Sequence, residues 1–155
     1  MNKIILAGKS AAGKDHMRKI LEDRGFVYGT SYTTRPPRPT EVDGIDYYFL
    51  AEPEFEGMEW YEYVEFNGWY YGTSKKQFLK ECNLFIMTPE GISKIKPEDR
   101  NECTIIYLDI DFPTRYQRLI KRDDSNDKIQ RRMEADESDF NDFKDYDIKI
   151  TDPNF

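Results

Sequence analysis

The sequence predicts an α/β domain: a three-layer α/β/α core on a parallel sheet, with a β-rich lobe inserted into it. Three observations lead there. Short apolar runs at residues 3–7, 84–87 and 104–108 each pass through a loop into helical periodicity, the order that yields parallel strands joined by right-handed crossovers. Between residues 31 and 74 the texture turns proline-rich, then aromatic and alternating, unlike the segments on either side. A chain of 155 residues buries one sizeable core and not two.

Taken in order, residues 3–7 form a strand, a Gly/Lys turn follows, and residues 14–24 carry the period of a helix. Arg35-Pro36-Pro37-Arg38-Pro39 cannot be helical, because three prolines fix φ and remove backbone donors. Residues 46–71 are rich in aromatics, and the alternation from Glu59 to Phe66 reads as a half-exposed antiparallel strand closing at Asn67-Gly68. Trp60, Trp69 and Tyr63 belong to the packing of this lobe. Pro89 and Pro113 stand where a first-turn proline is tolerated, so a helix follows each apolar run. Residues 121–127 are polar and charged between two helical patterns and read as a mobile loop. Ile148–Ile150 is a last short strand. Neither an internal repeat nor a low-complexity tract interrupts the series.

Lys and Arg number 23 against 30 Asp and Glu, a formal net charge of −7. That balance argues against a protein living on nucleic acid or on anionic membrane, both of which need a broad basic surface. A few arginines in a cleft can still dominate locally, so a small anionic substrate stays open. Aromatics at 15% are too many for a disordered acidic chain. No run approaches 18 apolar residues, and the first is too short for a signal-peptide core. The expectation is a cytoplasmic protein, a monomer or small homo-oligomer. Cys82 and Cys103, with no CxxC and no His/Cys cluster, read as reduced buried thiols, and structural zinc fails for want of ligands.

Gly8-Lys9-Ser10-Ala11-Ala12-Gly13-Lys14 matches GxxxxGK between an expected strand and an expected helix, the context that motif requires. Such a loop curls its N–H groups around phosphate oxygens, the helix N-terminus adds partial positive charge, and Lys14 bridges the outer phosphates. Where a Ser or Thr normally offers a hydroxyl to Mg²⁺, this chain has Asp15. Its carboxylate either reaches the metal or complements the helix dipole. His16 reads as a surface helical residue.

With that loop placed, Thr30-Ser31-Tyr32-Thr33-Thr34-Arg35-Pro36-Pro37-Arg38-Pro39, followed by Glu41-Val42-Asp43-Gly44-Ile45-Asp46-Tyr47, resembles the monophosphate-binding signature of the guanylate kinases. Glu62 and Phe66-Asn67-Gly68-Trp69-Tyr70-Tyr71-Gly72-Thr73 resemble the family's second block. The resemblance runs over essentially the whole chain, which is shorter than most members. It implies one domain: a phosphate-loop kinase core at 1–30 and 75–155, a nucleoside-monophosphate lobe at 31–74, and a small lid at about 121–132. Arg35 and Arg38 are planar forks suited to phosphate. By resemblance they hold the phosphate of GMP with Tyr47 and Tyr71, while Glu62 accepts from guanine N1–H and the 2-amino group, helped by Ser31 and Thr73. Arg122 and Arg132 are the implied lid arginines, with Arg131 a substitute for the latter and Arg118 an alternative partner for adenine. The implied reaction is ATP + GMP ⇌ ADP + GDP with Mg²⁺, dGMP being a further candidate.

Two departures widen the reading. The family's Asp-x-Asp pair is replaced by Ile86 and Thr88; Asp15, with Glu90, is expected to restore part of the lost charge, and an Asp109-Ile110-Asp111 triplet after the next strand reads either as lying close to the phosphate loop or as exposed carboxylates. A deoxynucleoside monophosphate kinase of broader base range is therefore one alternative. A non-catalytic guanylate-kinase-like module that binds protein is another, disfavoured because Gly8, Gly13, Lys14 and the lid arginines are all present.

Overall fold

Strand β1 (Lys3–Gly8) is buried on both faces, which fixes its place inside a parallel sheet with helices above and below. The computed structural model describes residues 2–122 and 126–155. In it β1 pairs in parallel with β6 (Leu84–Ile86) on one side and β7 (Cys103–Leu108) on the other. Strand β8 (Ile148–Ile150) extends the sheet beyond β7, giving the order β6-β1-β7-β8. The register sets Ile5 between Phe85 and Ile105. Those three residues face one apolar layer with Phe78, Ile92 and the partly buried Phe140. Leu6, Leu84, Ile106 and Leu108 face the opposite layer, covered by Met17 and Leu21 of α1 (Lys14–Asp23). Each such side chain taken from water contributes about 1.5–3 kcal/mol. Cys82 and Cys103 are free thiols buried in the first layer, and burial pushes both up from the ordinary thiol range.

The inserted lobe is a second four-stranded sheet, β3 (Tyr48–Phe49), β2 (Tyr32–Thr33), β5 (Trp69–Ser74) and β4 (Trp60–Phe66) in spatial order. The β4–β5 hairpin is antiparallel and turns at Asn67 and Gly68, with φ of 52° and 79°, the left-handed pair that suits a two-residue hairpin. Strands β2 and β3 are parallel, which short alternating patterns do not announce; the proline-rich chain between them is long enough for that return. Trp60 stacks on Phe55 of helix α2 (Glu52–Glu56) at 4.1 Å and donates its indole N–H to the Phe55 carbonyl at 2.9 Å. The expected packing roles of Trp69 and Tyr63 are smaller, since they stay 40% and 47% exposed. A buried network joins lobe to core. Gln77, in a π-type turn after β5, donates to the Thr30 carbonyl at 2.7 Å and accepts the Ser74 N–H at 3.1 Å.

Helices α3 (Pro89–Ser93), α4 (Pro97–Arg100) and α5 (Phe112–Lys121) each begin with a proline in the first turn. Helix α6 (Asn126–Phe140) packs on α5 through Leu119, Ile129 and Met133. The loop expected at residues 121–127 is shorter, because Lys121 closes α5 and Asn126 opens α6; its middle, residues 123–125, lies outside the described residues. In the Asp109-Ile110-Asp111 triplet the carboxylates have local partners, Asp109 accepting a hydrogen bond from Tyr107. Asp111 caps α5, accepting the Thr114 N–H at 3.2 Å and hydroxyl at 2.6 Å, and Ile110 is buried. Among the described residues, no helix is long and apolar enough to cross a membrane.

Candidate active site

A cleft of about 460 Å³ opens where the carboxyl end of β1 meets the inserted lobe. One wall is the glycine-rich loop. Gly8 is there for close approach, since a Cβ would lie 3.1 Å from both the Leu108 carbonyl oxygen and the Ala12 Cβ. The left-handed positions fall later, at Ala11 (φ 61°) and Gly13 (φ 98°), and turn the chain into the first turn of α1. Ala11 and Ala12 are buried beneath the loop. Lys14 is half-buried and donates to the Gly8 carbonyl at 2.5 Å. Burial pushes its ammonium below the ordinary lysine range, and the charges of Asp136 and Asp15 oppose that shift. Gly8, Ser10, Lys14 and Asp15 all line the cleft. His16 is exposed beside the Phe155 ring.

The opposite wall is built by the lobe. Glu62 on β4 is 8% exposed and accepts the Thr73 hydroxyl of β5 at 2.8 Å through Oε1. Oε2 faces Gly91, where a Cβ would stand only 3.1 Å away. Burial raises the Glu62 carboxyl above the usual carboxylate range, against the Thr73 hydrogen bond and the charge of Lys94. Ser31, Tyr47 and Tyr71 line the same cleft, with Ile86, Met87 and Thr88 of the core facing it. Thr88 is engaged as the cap of α3, its hydroxyl oxygen accepting the Gly91 N–H at 3.1 Å. Glu90 lies 3.9 Å from Lys94 on that helix.

Arg35 is held rigidly beside this wall. Its Nη1 and Nη2 donate to the two oxygens of Glu41 at 2.8 and 2.9 Å, its guanidinium lies 5.3 Å from the Tyr47 ring centroid, and Tyr71 hydrogen-bonds it as well. The pair holds the Glu41 carboxyl down at about 2. Arg38 contributes its backbone N–H to Glu41 at 2.8 Å while its residue stays exposed. Glu41 thus organises both arginines, a role the proline-rich motif does not disclose.

On the far side, Arg122 is the exposed C-cap of α5 and Arg132 sits half-buried in α6, next to the exposed Arg131. Arg118 is a tie, donating to the Ala11 carbonyl at 2.9 Å and the Pro153 carbonyl at 3.0 Å. Lys9 pairs with Glu137 at 3.0 Å. Two charged residues escaped the sequence reading, Arg115 (2% exposed) and Asp136 (9%). Their signal was present: Arg115 lies on the apolar stripe Phe112, Tyr116, Leu119, and Asp136 on the stripe Ile129, Met133, Phe140. Tyr28, under the Arg18 guanidinium at 3.8 Å, also lines the cleft unforeseen.

Among the described residues no group of three or more His, Cys, Asp or Glu could hold a metal ion alone. Exposed Asp15 at the cleft edge fits a cation that arrives already bound to phosphate, which needs few protein ligands.

Comparison with known proteins adds a family to this geometry. The whole chain, residues 1–155, matches the family model described as guanylate kinase. A guanylate kinase of Thermus thermophilus is 35% identical over 144 residues, covering 86% of this chain and 66% of that protein. A guanylate kinase of Rickettsia bellii is 35% identical over 164 residues, covering 98% and 86%. The chain therefore spans just under two thirds of the Thermus relative's length. The crystal structure of guanylate kinase from Anaplasma phagocytophilum shares the fold, with a TM-score of 0.72 at 23% identity over 99% of this chain and 78% of that one.

Proposed function

The chain belongs to the guanylate kinase family, and we propose that it transfers the γ-phosphoryl group of ATP to GMP, giving ADP and GDP. The observation that carries this reading is one cleft lined on one side by the glycine-rich GxxxxGK loop and on the other by the buried Glu62, which is held by Thr73. A carboxylate with one oxygen committed to Thr73 and the other open suits the donor pair of guanine, N1–H and the 2-amino group. Adenine lacks that pair. Arg35, preset by Glu41, with Tyr47 and Tyr71 supplies the positive, donor-rich patch for the monophosphate.

Attack by an already ionised phosphate oxygen needs neither a covalent intermediate nor a general base. Catalysis is then positioning and charge neutralisation. Loop N–H groups and Lys14 hold the donor, Arg35 and Arg38 hold the acceptor, and Arg122 and Arg132 approach from the α5–α6 side to neutralise the transferring group. Mg²⁺, when bound with ATP, neutralises phosphate charge, and Asp15 is the residue that would hold it. Ile86 and Thr88 favour a second reading on one point: with no acidic residue there, the base is read chiefly through Glu62, and dGMP or a wider set of bases becomes acceptable.

A coupled ADP-release assay with ATP and Mg²⁺, offering GMP, dGMP, AMP, CMP, UMP and dTMP separately, tests both. Turnover confined to GMP and dGMP supports the proposal. Comparable turnover with several bases supports the wider enzyme, and none from folded protein overturns the kinase reading in favour of a binding module.

A further inference from the structure

One contact of the phosphate loop is not explained by the proposed reaction. The Ser10 N–H and hydroxyl, groups the loop would present to a phosphate, both donate to Asp136 of α6, at 3.0 Å to Oδ2 and 3.2 Å to Oδ1. The contact spans 126 residues of sequence, so it arises from the docking of α6 and not from local chain geometry. The adjoining Glu137 takes Lys9 at 3.0 Å, so α6 fastens on two consecutive loop residues. Behind Asp136 stands the buried Arg115, Nη1 3.7 Å from Oδ2, itself anchored by donation to the Ile110 carbonyl at 2.9 Å.

A carboxylate accepting a loop N–H and a hydroxyl side by side does what two phosphate oxygens would do. It also lines the same cleft as Lys14 and offsets that ammonium's burial. Two anions cannot share the Ser10 donors, because at such separations their repulsion in a partly buried cleft is large. We propose that Asp136 is a built-in ligand of the phosphate-binding loop, which the polyphosphate of a nucleotide must displace. This rests on reading the loop as the triphosphate site. Apparent affinity for nucleotide is then lowered by the fraction of molecules in which the carboxylate still sits on the loop.

The test is calorimetric titration of the full chain with Mg²⁺-free tripolyphosphate, comparing the parent with Asp136→Asn, Asp136→Glu and Glu137→Gln. Loss of the competing charge should tighten binding about tenfold in Asp136→Asn. Asp136→Glu, which keeps the charge, should bind as the parent does. Glu137 is exposed, so Glu137→Gln puts little of the fold at stake; it should tighten binding by about two- to threefold, as expected for a surface pair. This second variant decides the matter if Asp136→Asn does not fold. A merely structural Asp136 would lower the melting temperature without tightening binding. Unchanged or weaker binding in both neutral variants overturns the proposal, as does tightening in Asp136→Glu equal to that in Asp136→Asn. Running the GMP assay alongside keeps the two readings apart. Flat affinities with turnover intact remove only the role of Asp136. No tripolyphosphate binding by any variant, with no turnover, removes the kinase reading too.

Discussion

Replacing Glu62 by glutamine separates base recognition from folding, because the two respond in opposite directions. The carboxyl is 8% exposed, and burial already disfavours its ionised form. Glutamine has nearly the same shape, relieves that desolvation and keeps a carbonyl oxygen for the Thr73 hydroxyl, so the variant should be as stable as the parent or more so. Guanine, however, brings two donors to this position. Glutamine can accept from one and meets the other with its own N–H. A hydrogen bond to a charged acceptor contributes about 1.5–3 kcal/mol, so losing one and opposing another removes about 3 kcal/mol, roughly two decades. The assay is kcat/KM for GMP and for IMP, which lacks the 2-amino group, with the melting temperature measured on the same preparations. The expected result is a fall of about a hundredfold for GMP, a fall of about tenfold for IMP and no loss of Tm. An unchanged kcat/KM for GMP, or equal losses for both bases, would refute the assignment of Glu62.

Because burial raises the Glu62 carboxyl, KM for GMP should climb on acidification at a higher pH than a solvent-exposed carboxylate would give, and Glu62→Gln should flatten that profile. Glu41 has the opposite sign. Its folded value of about 2 lies below the ordinary 4.5, so it stabilises the fold fully above about pH 4.5 and loses that contribution as pH falls toward 2. Urea midpoints of Glu41→Gln and the parent should therefore converge over that interval; a constant difference would refute the pairing with Arg35. Gly91→Ala places a methyl 3.1 Å from Glu62 Oε2, so KM for GMP should rise severalfold with KM for ATP unmoved; matched changes in both would count against it. Gly13→Ala forces φ of 98° on a residue with a Cβ, 2.9 Å from the Phe155 ring, and should lower stability by about 1–2 kcal/mol in urea unfolding; an unaltered midpoint would contradict the left-handed geometry.

How much of this was legible beforehand divides by the range of the interactions. Strands at 3–7, 84–87 and 104–108 lie within a residue of their observed bounds, because a strand buried on both faces is a continuous apolar run that local sequence displays, while the short edge strand at 148–150 is exposed and shows only as alternation. The Asn67-Gly68 turn was equally readable, since few residues tolerate two successive positive φ angles. Asp111, by contrast, shows in sequence only as a carboxylate after a strand, and its role as the cap of α5 depends on where Thr114 falls in the first turn. The parallel pairing of β2 with β3 was not readable at all, because strands of two residues carry no period.

By itself the sequence determined the α/β core, the inserted β-rich lobe and the glycine-rich GxxxxGK turn between β1 and α1, all written in local periodicity, turn chemistry and short motifs. Tertiary structure alone decided which charges meet. Glu41 on the fork of Arg35, Thr73 behind Glu62, and Asp136 on the Ser10 amide with Arg115 beneath it are all contacts that a side chain makes outside its own strand or helix. Except for Glu41, these partners come from different elements. Burial is the physical reason those contacts matter. A carboxylate or guanidinium removed from water must find a partner, and packing settles which one is within reach.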